Sequence, residues 1–111
     1  MSKQQWDIWT LDFPGRGEHP AVLVSHPDRC ARAAVVNVLY CTSQRQSRPV
    51  RENEILLNGS DGLDWETFCV CDHLYSVEVS QLIRKRGRVT AERRRAIRRK
   101  LIQFYRLLAD D

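Results

Sequence analysis

Ala33-Ala34-Val35-Val36-Asn37-Val38-Leu39-Tyr40-Cys41, running directly into Thr42-Ser43-Gln44-Arg45-Gln46-Ser47-Arg48-Pro49, is the stretch on which the reading of this chain turns. Its first nine residues are dominated by β-branched and aromatic side chains, which suit a pleated, half-buried surface. The polar tract that follows ends the run in a loop. The pair reads as a buried strand that empties into a surface segment carrying two hydroxyls and an amide.

Upstream, residues 6–12 (Trp-Asp-Ile-Trp-Thr-Leu-Asp) mix aromatic, β-branched and polar residues near period two. Pro14-Gly15 and Gly17 end that run, predicting a first strand and a glycine-rich loop. Ala21-Val22-Leu23-Val24-Ser25 is a short continuous apolar run that predicts a buried strand, closed by His26-Pro27-Asp28. Downstream, short strands are expected at residues 54–57 and 67–72, separated by Asn58-Gly59-Ser60-Asp61-Gly62, and a short helix at 77–83. Thr90 is a plausible N-cap for a last helix, on which Ile97, Leu101, Phe104, Tyr105 and Leu108 form one apolar stripe. That helix would have about five turns. The fold class that follows is mainly β with a C-terminal helix: a small antiparallel sheet or barrel, strongly curved, with the helix laid on it by its stripe.

With 111 residues the chain can bury one hydrophobic core, so a single domain over residues 1–111 is expected. No run approaches the roughly 18 apolar residues that span a bilayer, and the first residues lack the apolar core of a secretory signal. A cytoplasmic protein with no membrane segment is therefore expected. Cys69 and Cys71 are spaced C-x-C on a predicted strand, where they share a face and make a poor chelate. With Cys30 and Cys41 they read as buried reduced thiols rather than a metal site.

The net charge of +4 conceals an asymmetry. Residues 1–83 carry seven Lys/Arg against eleven Asp/Glu, and residues 84–111 carry eleven against three. Arg84, Lys85, Arg86, Arg88, Arg93, Arg94, Arg95, Arg98, Arg99, Lys100 and Arg106 could neutralise several phosphates of a nucleic acid. They serve equally as a solvated helix face or as a dock for an acidic partner. Within the acidic part, Arg16, Glu18 and His19 stand beside the glycines of the first loop, a combination suited to proton transfer and to stabilising charge on a phosphate. Asp72-His73 ends a predicted strand, and either group can accept a proton from a ribose hydroxyl. For each the plain alternative is solvation of a loop or strand end.

The order of these pieces resembles the MazF/PemK (Kid-like) family of growth inhibitors from type II toxin-antitoxin systems, over nearly the whole chain. Asp7-Ile8-Trp9-Thr10-Leu11-Asp12 is similar to the family's first strand, and Pro20-Ala21-Val22-Leu23-Val24-Ser25 to its R-P-x-V-x-S strand. Cys41-Thr42-Ser43-Gln44 resembles the T-[ST/A]-Q strand end, and Cys71-Asp72-His73-Leu74-Tyr75-Ser76-Val77 the D-Q-x-[RK]-[ST]-[IV] segment. The resemblance implies an SH3-like barrel of the CcdB/PemK type, a homodimer, an acidic cognate antitoxin, and cleavage of single-stranded RNA with no metal or other cofactor, the ribose 2′-hydroxyl acting as nucleophile.

Position by position, the resemblance makes Thr42 and Asp72 catalytic, Asp72 as base. In place of the family's arginine before the strand proline stands His19, and the preceding loop is about three residues shorter than usual. His19 then takes the role of acid and Arg16 supplies the missing positive charge. Glu18, Ser43, Gln44, Arg45 and His73 complete the RNA-binding set. Two alternatives remain open: a catalytically degenerate module of the same fold that contacts nucleic acid or an acidic protein partner, and the gyrase-poison branch of the fold, against which the Cys41-Thr42-Ser43-Gln44 match argues.

Overall fold

The computed structural model describes residues 2–43 and 48–108. Its strands are β1 (Asp7–Phe13), β2 (Gly17–Leu23), β3 (Val35–Ser43), β4 (Glu54–Leu57), β5 (Thr67–Glu78) and β6 (Leu82–Arg88), with helices α1 (Pro27–Arg32) and α2 (Ala91–Tyr105). The strands form one antiparallel sheet in the order β4-β5-β3-β2-β1-β6. Alternation along each strand sends side chains to two faces. Trp9, Leu11, Phe13, Ala21, Leu23, Val36, Val38 and Tyr40 build one buried cluster. Ile8, Val22, Leu39, Cys41, Leu57, Cys69 and Cys71 build the other, joined there by Ile97 of α2.

The expected fold class holds, and the central run is the third strand as read. No ladder among the described residues joins β4 to β6, so the barrel does not close by strand pairing. Closure comes from the turn after β4. Asn58 and Asp61 form a reciprocal capping box around a 3-10 turn at Gly59–Asp61. The buried Asp61 carboxylate then reaches across the gap, accepting from the Thr90 N–H (2.9 Å) and from the Arg93 guanidinium. Gly87 of β6 lies against this turn so closely that a Cβ there would sit 2.0 Å from the Asp61 carbonyl oxygen.

Four expectations need correction. Residues 77–83 are not a helix: β5 continues to Glu78, and only a 3-10 turn at Val79–Gln81 intervenes before β6. Exposed Leu74, Ser76 and Glu78 alternate with half-buried Tyr75 and buried Val77, a period of two that extends the strand. The Gln81 side chain accepts from the Glu78 N–H (2.8 Å), confining the bend to one turn. The loop expected after Pro14 spans residues 14–16 only, because Gly15 and Gly17 adopt positive φ (74° and 82°) and close a tight hairpin. Glu18, His19 and Pro20 thus lie on β2, opposite Asp12, Leu11 and Thr10. His26-Pro27-Asp28 does more than end a strand, since His26 Nδ1 caps α1 by accepting from the Asp28 N–H (3.1 Å). Finally, α2 has 15 residues, about four turns, and its stripe docks by one end. Ile97 is fully buried and Leu101 packs against the core, whereas Tyr105 and Leu108 are 38% and 56% exposed.

Cys30, Cys41, Cys69 and Cys71 are free and buried, as expected. Hydrogen bonding between neighbouring thiols (Cys41 with Cys69, Cys69 with Cys71), together with burial, pushes Cys69 and Cys71 far above the usual thiol range. They are packing residues, inert as nucleophiles. In the segment that leads into β4, Arg48 makes a two-pronged bond to the buried Glu54 carboxylate (2.8 and 2.7 Å), and the Arg51 N–H adds a third (2.9 Å).

Two predictions follow. Gly87→Ala forces the closing turn away from β6 and is expected to cost about 3 kcal/mol, lowering Tm by roughly 10–15 °C in calorimetry. An unchanged Tm would show that the turn does not close the sheet. The Arg48 hydrogen bond holds the Glu54 carboxyl below its ordinary value of 4.5. A group whose folded-state pKa is depressed stabilises above the unfolded value and loses that contribution as pH falls through the folded one. Unfolding monitored between neutral pH and pH values below 4.5 should therefore show a stability loss on acidification that is smaller in Glu54→Gln. Identical slopes for the two proteins would contradict the assignment.

Candidate functional site

The β3–β5 ladder contains the irregularity that creates the site. Leu39 pairs with Leu74 and Cys41 with Cys69, so Tyr40 alone opposes residues 70–73 of β5. A bulge of this kind bends its strand and re-aims side chains. Here it is stitched to the segment before β4: the Cys71 N–H donates to the Asn53 carbonyl (2.8 Å), and the Asn53 amide donates to Asp72 Oδ1 (2.8 Å). Asp72 and His73 thereby stand at the surface, His73 beside Tyr40.

Tyr40 is the platform of the site. Its ring packs edge-on against Phe13 (centroids 5.0 Å apart), and Phe13 packs in turn on Tyr75 (4.9 Å). The Arg16 guanidinium lies over Tyr40, 4.4 Å from the ring centroid. His19 and His73 flank the same ring at centroid distances of 5.0 and 6.0 Å. Arg16 Nη1 lies 3.4 Å from His73 Nδ1, and His73 Nε2 lies 4.0 Å from Asp72 Oδ1. His19 Nε2 is 2.9 Å from the Arg16 carbonyl oxygen. A carbonyl only accepts, so that nitrogen carries the proton and Nδ1 is the atom left to exchange one with a ligand.

The structure thus brings Arg16, His19 and His73 together on Tyr40, with Asp72 attached through His73. Thr42 lies two residues along β3 from Tyr40 and shares its face, half-buried and paired with Phe68. Asp72 also faces α2, where burial and its charge raise the Tyr105 hydroxyl above its usual range. Glu18 and Ser43 are separate from the tyrosine platform and line a neighbouring hollow with His19, Pro20, Trp65 and Arg86. Gln44 and Arg45 lie outside the described residues. Tyr40, Asn53 and Trp65 are contributions that the sequence reading did not assign, and Arg86, read there only as part of the basic cluster, joins this hollow. Tyr40 could be found only as the aromatic nearest the end of the central run, and Trp65 as an aromatic in an otherwise polar connection. No group of three or more His, Cys, Asp or Glu placed to hold a metal ion occurs among the described residues.

The basic residues divide into two kinds. Lys85 and Arg88 reach the fully buried Asp7 (3.4 and 2.9 Å), and Arg93 reaches Asp61, so these balance carboxylates of the acidic part. Arg94 and Arg98, with Lys3 and Arg88, line a cationic hollow around Trp6. Burial, then the charges of Arg88 and Arg98, lower the pKa of Arg94 there. No helix of the described residues is long and apolar enough to cross a membrane.

A bent antiparallel sheet with one docked terminal helix, carrying a guanidinium and two imidazoles on an aromatic floor, defines a small β-domain equipped to handle an anion such as a phosphodiester. Solved structures share this architecture. The Mycobacterium tuberculosis toxin MazF-mt6 is similar at 17% identity with a TM-score of 0.79, covering 92% of this chain and 98% of that one. An endoribonuclease in complex with its cognate antitoxin, from a mycobacterial species, is similar at 20% identity and TM-score 0.78, covering 96% of both chains. The MazE-MazF structure from Deinococcus radiodurans gives 19% identity and 0.72, covering 95% of this chain and 96% of that one. A comparison with curated protein sequences finds no match. The family described as PemK-like, MazF-like toxin of type II toxin-antitoxin system matches residues 4–105, and the chain belongs to that family.

Replacing Tyr40 by leucine keeps an apolar side chain but removes the ring. The chain has three histidines, and His26 lies elsewhere with its side chain 70% exposed. Tyr40→Leu should shift the imidazole proton resonances of His19 and His73 and leave those of His26 in place. Movement of only one of the pair would contradict the shared platform.

Proposed function

We propose that this chain is the toxin of a type II toxin-antitoxin pair and an endoribonuclease that cleaves single-stranded RNA, working as one cytoplasmic domain and as a homodimer. The observation that carries this reading is the convergence of Arg16, His19 and His73 on the Tyr40 ring.

Cleavage through the ribose requires a base for the 2′-hydroxyl, positive charge for the pentacoordinate phosphorus, and an acid for the departing 5′-oxygen. Asp72 is the base, with one oxygen anchored by Asn53 and His73 beside it. Arg16, oriented by Tyr40, faces the phosphate, and the Thr42 hydroxyl supports the same group. His19, its Nε2 proton fixed on the Arg16 carbonyl, delivers a proton from Nδ1 to the 5′-oxygen. The new bond joins the 2′-oxygen to phosphorus while the bond from phosphorus to the 5′-oxygen breaks. The products are a 2′,3′-cyclic phosphate and a 5′-hydroxyl.

The antitoxin would be an acidic protein, matched by the exposed arginines Arg95, Arg98 and Arg99 of α2. The surface of Leu74, Tyr105, Leu107 and Leu108, each at least 38% exposed, supplies apolar area for an interface between copies. The alternative of a non-catalytic module is not favoured, because Arg16 and both imidazoles meet on the Tyr40 ring and the Asp72 carboxylate stands beside His73.

Purified protein should cleave single-stranded RNA in the presence of a chelator. His19→Ala should lower kcat by about 10²–10⁴-fold and Arg16→Ala by about 10²–10³-fold, both with unchanged circular dichroism. Absence of cleavage by the folded protein, or a wild-type rate from His19→Ala, would sink the reading.

A further inference from the structure

Beside the tyrosine platform, on the far side of His19, lies a hollow of about 280 Å³ lined by Glu18, His19, Pro20, Ser43, Trp65 and Arg86. Resting on the ribonuclease reading above, we propose that it is a nucleobase subsite that takes a guanine adjacent to the bond being cut.

Trp65 is the first support. It is 57% exposed, whereas Trp6 and Trp9 are 5% and 8% exposed and belong to the core. A single exposed aromatic is ordinary on a protein surface. This one shares a hollow with an imidazole of the candidate site and with two side chains of opposite charge. Its indole is a stacking platform of the kind on which unpaired bases of single-stranded RNA are held. Its neighbours Asp64 and Glu66 are both exposed. Two carboxylates repel a phosphate but tolerate the neutral face of a base, so the hollow is better matched to a base than to the backbone.

The charged pair supplies the selectivity. Arg86 is half-buried on β6 and its Nη1 is fixed on the Thr10 hydroxyl (3.3 Å), which leaves the rest of the fork for an acceptor edge. A guanidinium addressing guanine O6 and N7 is the commonest base-specific contact. Glu18 is exposed at the start of β2 and, when ionised, only accepts. It suits the N1–H and N2–H donors of the same base. Guanine alone offers two adjacent donors to a carboxylate and two adjacent acceptors to an arginine. Shared use of His19 by the hollow and the platform places this base next to the reacting phosphate.

The test uses the full chain and four short RNA oligonucleotides carrying 2′-O-methyl groups throughout, which removes the nucleophile so that binding is read without cleavage. They differ at one position, G, A, C or U, and affinity is followed by fluorescence anisotropy of an end label. The guanine oligonucleotide should bind most tightly and quench the emission of the exposed tryptophan. Trp65→Leu should weaken its binding by about five- to a hundredfold, and Trp65→Phe, which keeps a ring, by less than about threefold. Glu18→Gln should reduce the preference for guanine. Equal affinity for all four oligonucleotides, or wild-type binding by Trp65→Leu, overturns the subsite.

Parallel cleavage of unmodified RNA separates the two claims. A protein that binds as described without cutting keeps the subsite and loses the reaction. One that cuts with an unaltered KM in Trp65→Leu keeps the reaction and loses the subsite.

Discussion

The carboxylate of Asp61 is the constraint on which the rest of the structure depends. Six strands in a row leave two edges, β4 and β6, and no backbone ladder joins them. Asp61 spans the gap, tying the turn after β4 to the first turn of α2 through Thr90 and Arg93. A buried carboxylate stripped of such partners costs about 3–5 kcal/mol, so the closure is held by one charged group that the fold cannot leave unpaired. Asp7, at the start of β1, is likewise a buried acid, on which Lys85 and Arg88 of β6 converge. The charge asymmetry of the sequence thus has a structural component: part of the C-terminal basicity neutralises two buried acids supplied by the N-terminal part.

With the sheet bent and its edges fixed, the bulge opposite Tyr40 becomes the place where function is built. It lifts residues 70–73 away from pairing with β3 and presents His73, with Asp72 next to it, beside a ring already supported by Phe13. The tight hairpin brings Arg16 of the turn and His19 of β2 to the same ring. None of these groups is adjacent in sequence to those of β5, and the fold supplies the proximity. Proximity of a fixed cation and two proton-transfer groups is what phosphodiester cleavage needs from a protein.

Much of this was legible in the sequence where a pattern is local. The third strand, the strand at residues 54–57 and the start of α2 follow from composition, period and a capping residue. The ordered succession of short motifs pointed to the family that the chain belongs to. Elements governed by tertiary contacts were less legible. β5 outruns its expected end because its outer half pairs with β3, a partner that composition does not reveal. The α2 stripe reads as one apolar face, yet only Ile97 is fully buried, and Tyr105 and Leu108 at its far end stay exposed. Tyr40 read as core, and is core by burial, yet its exposed neighbours make it the floor of a site. Arg16, His19 and His73 were legible as residues suited to the chemistry, but their meeting on one ring depends on a bulge that no local signal announces.

The central claim is that the site acts on the ribose of RNA, with a 2′-hydroxyl attacking its own phosphate. The most direct measurement is mass spectrometry of the fragments from a cleaved RNA oligonucleotide, alongside the same oligonucleotide with a single 2′-deoxy sugar at the cut position. Attack by the 2′-hydroxyl gives 2′,3′-cyclic phosphate and 5′-hydroxyl ends from the first and no cut at the modified position in the second. A 5′-phosphate end, or undiminished cleavage at the deoxy sugar, would contradict it.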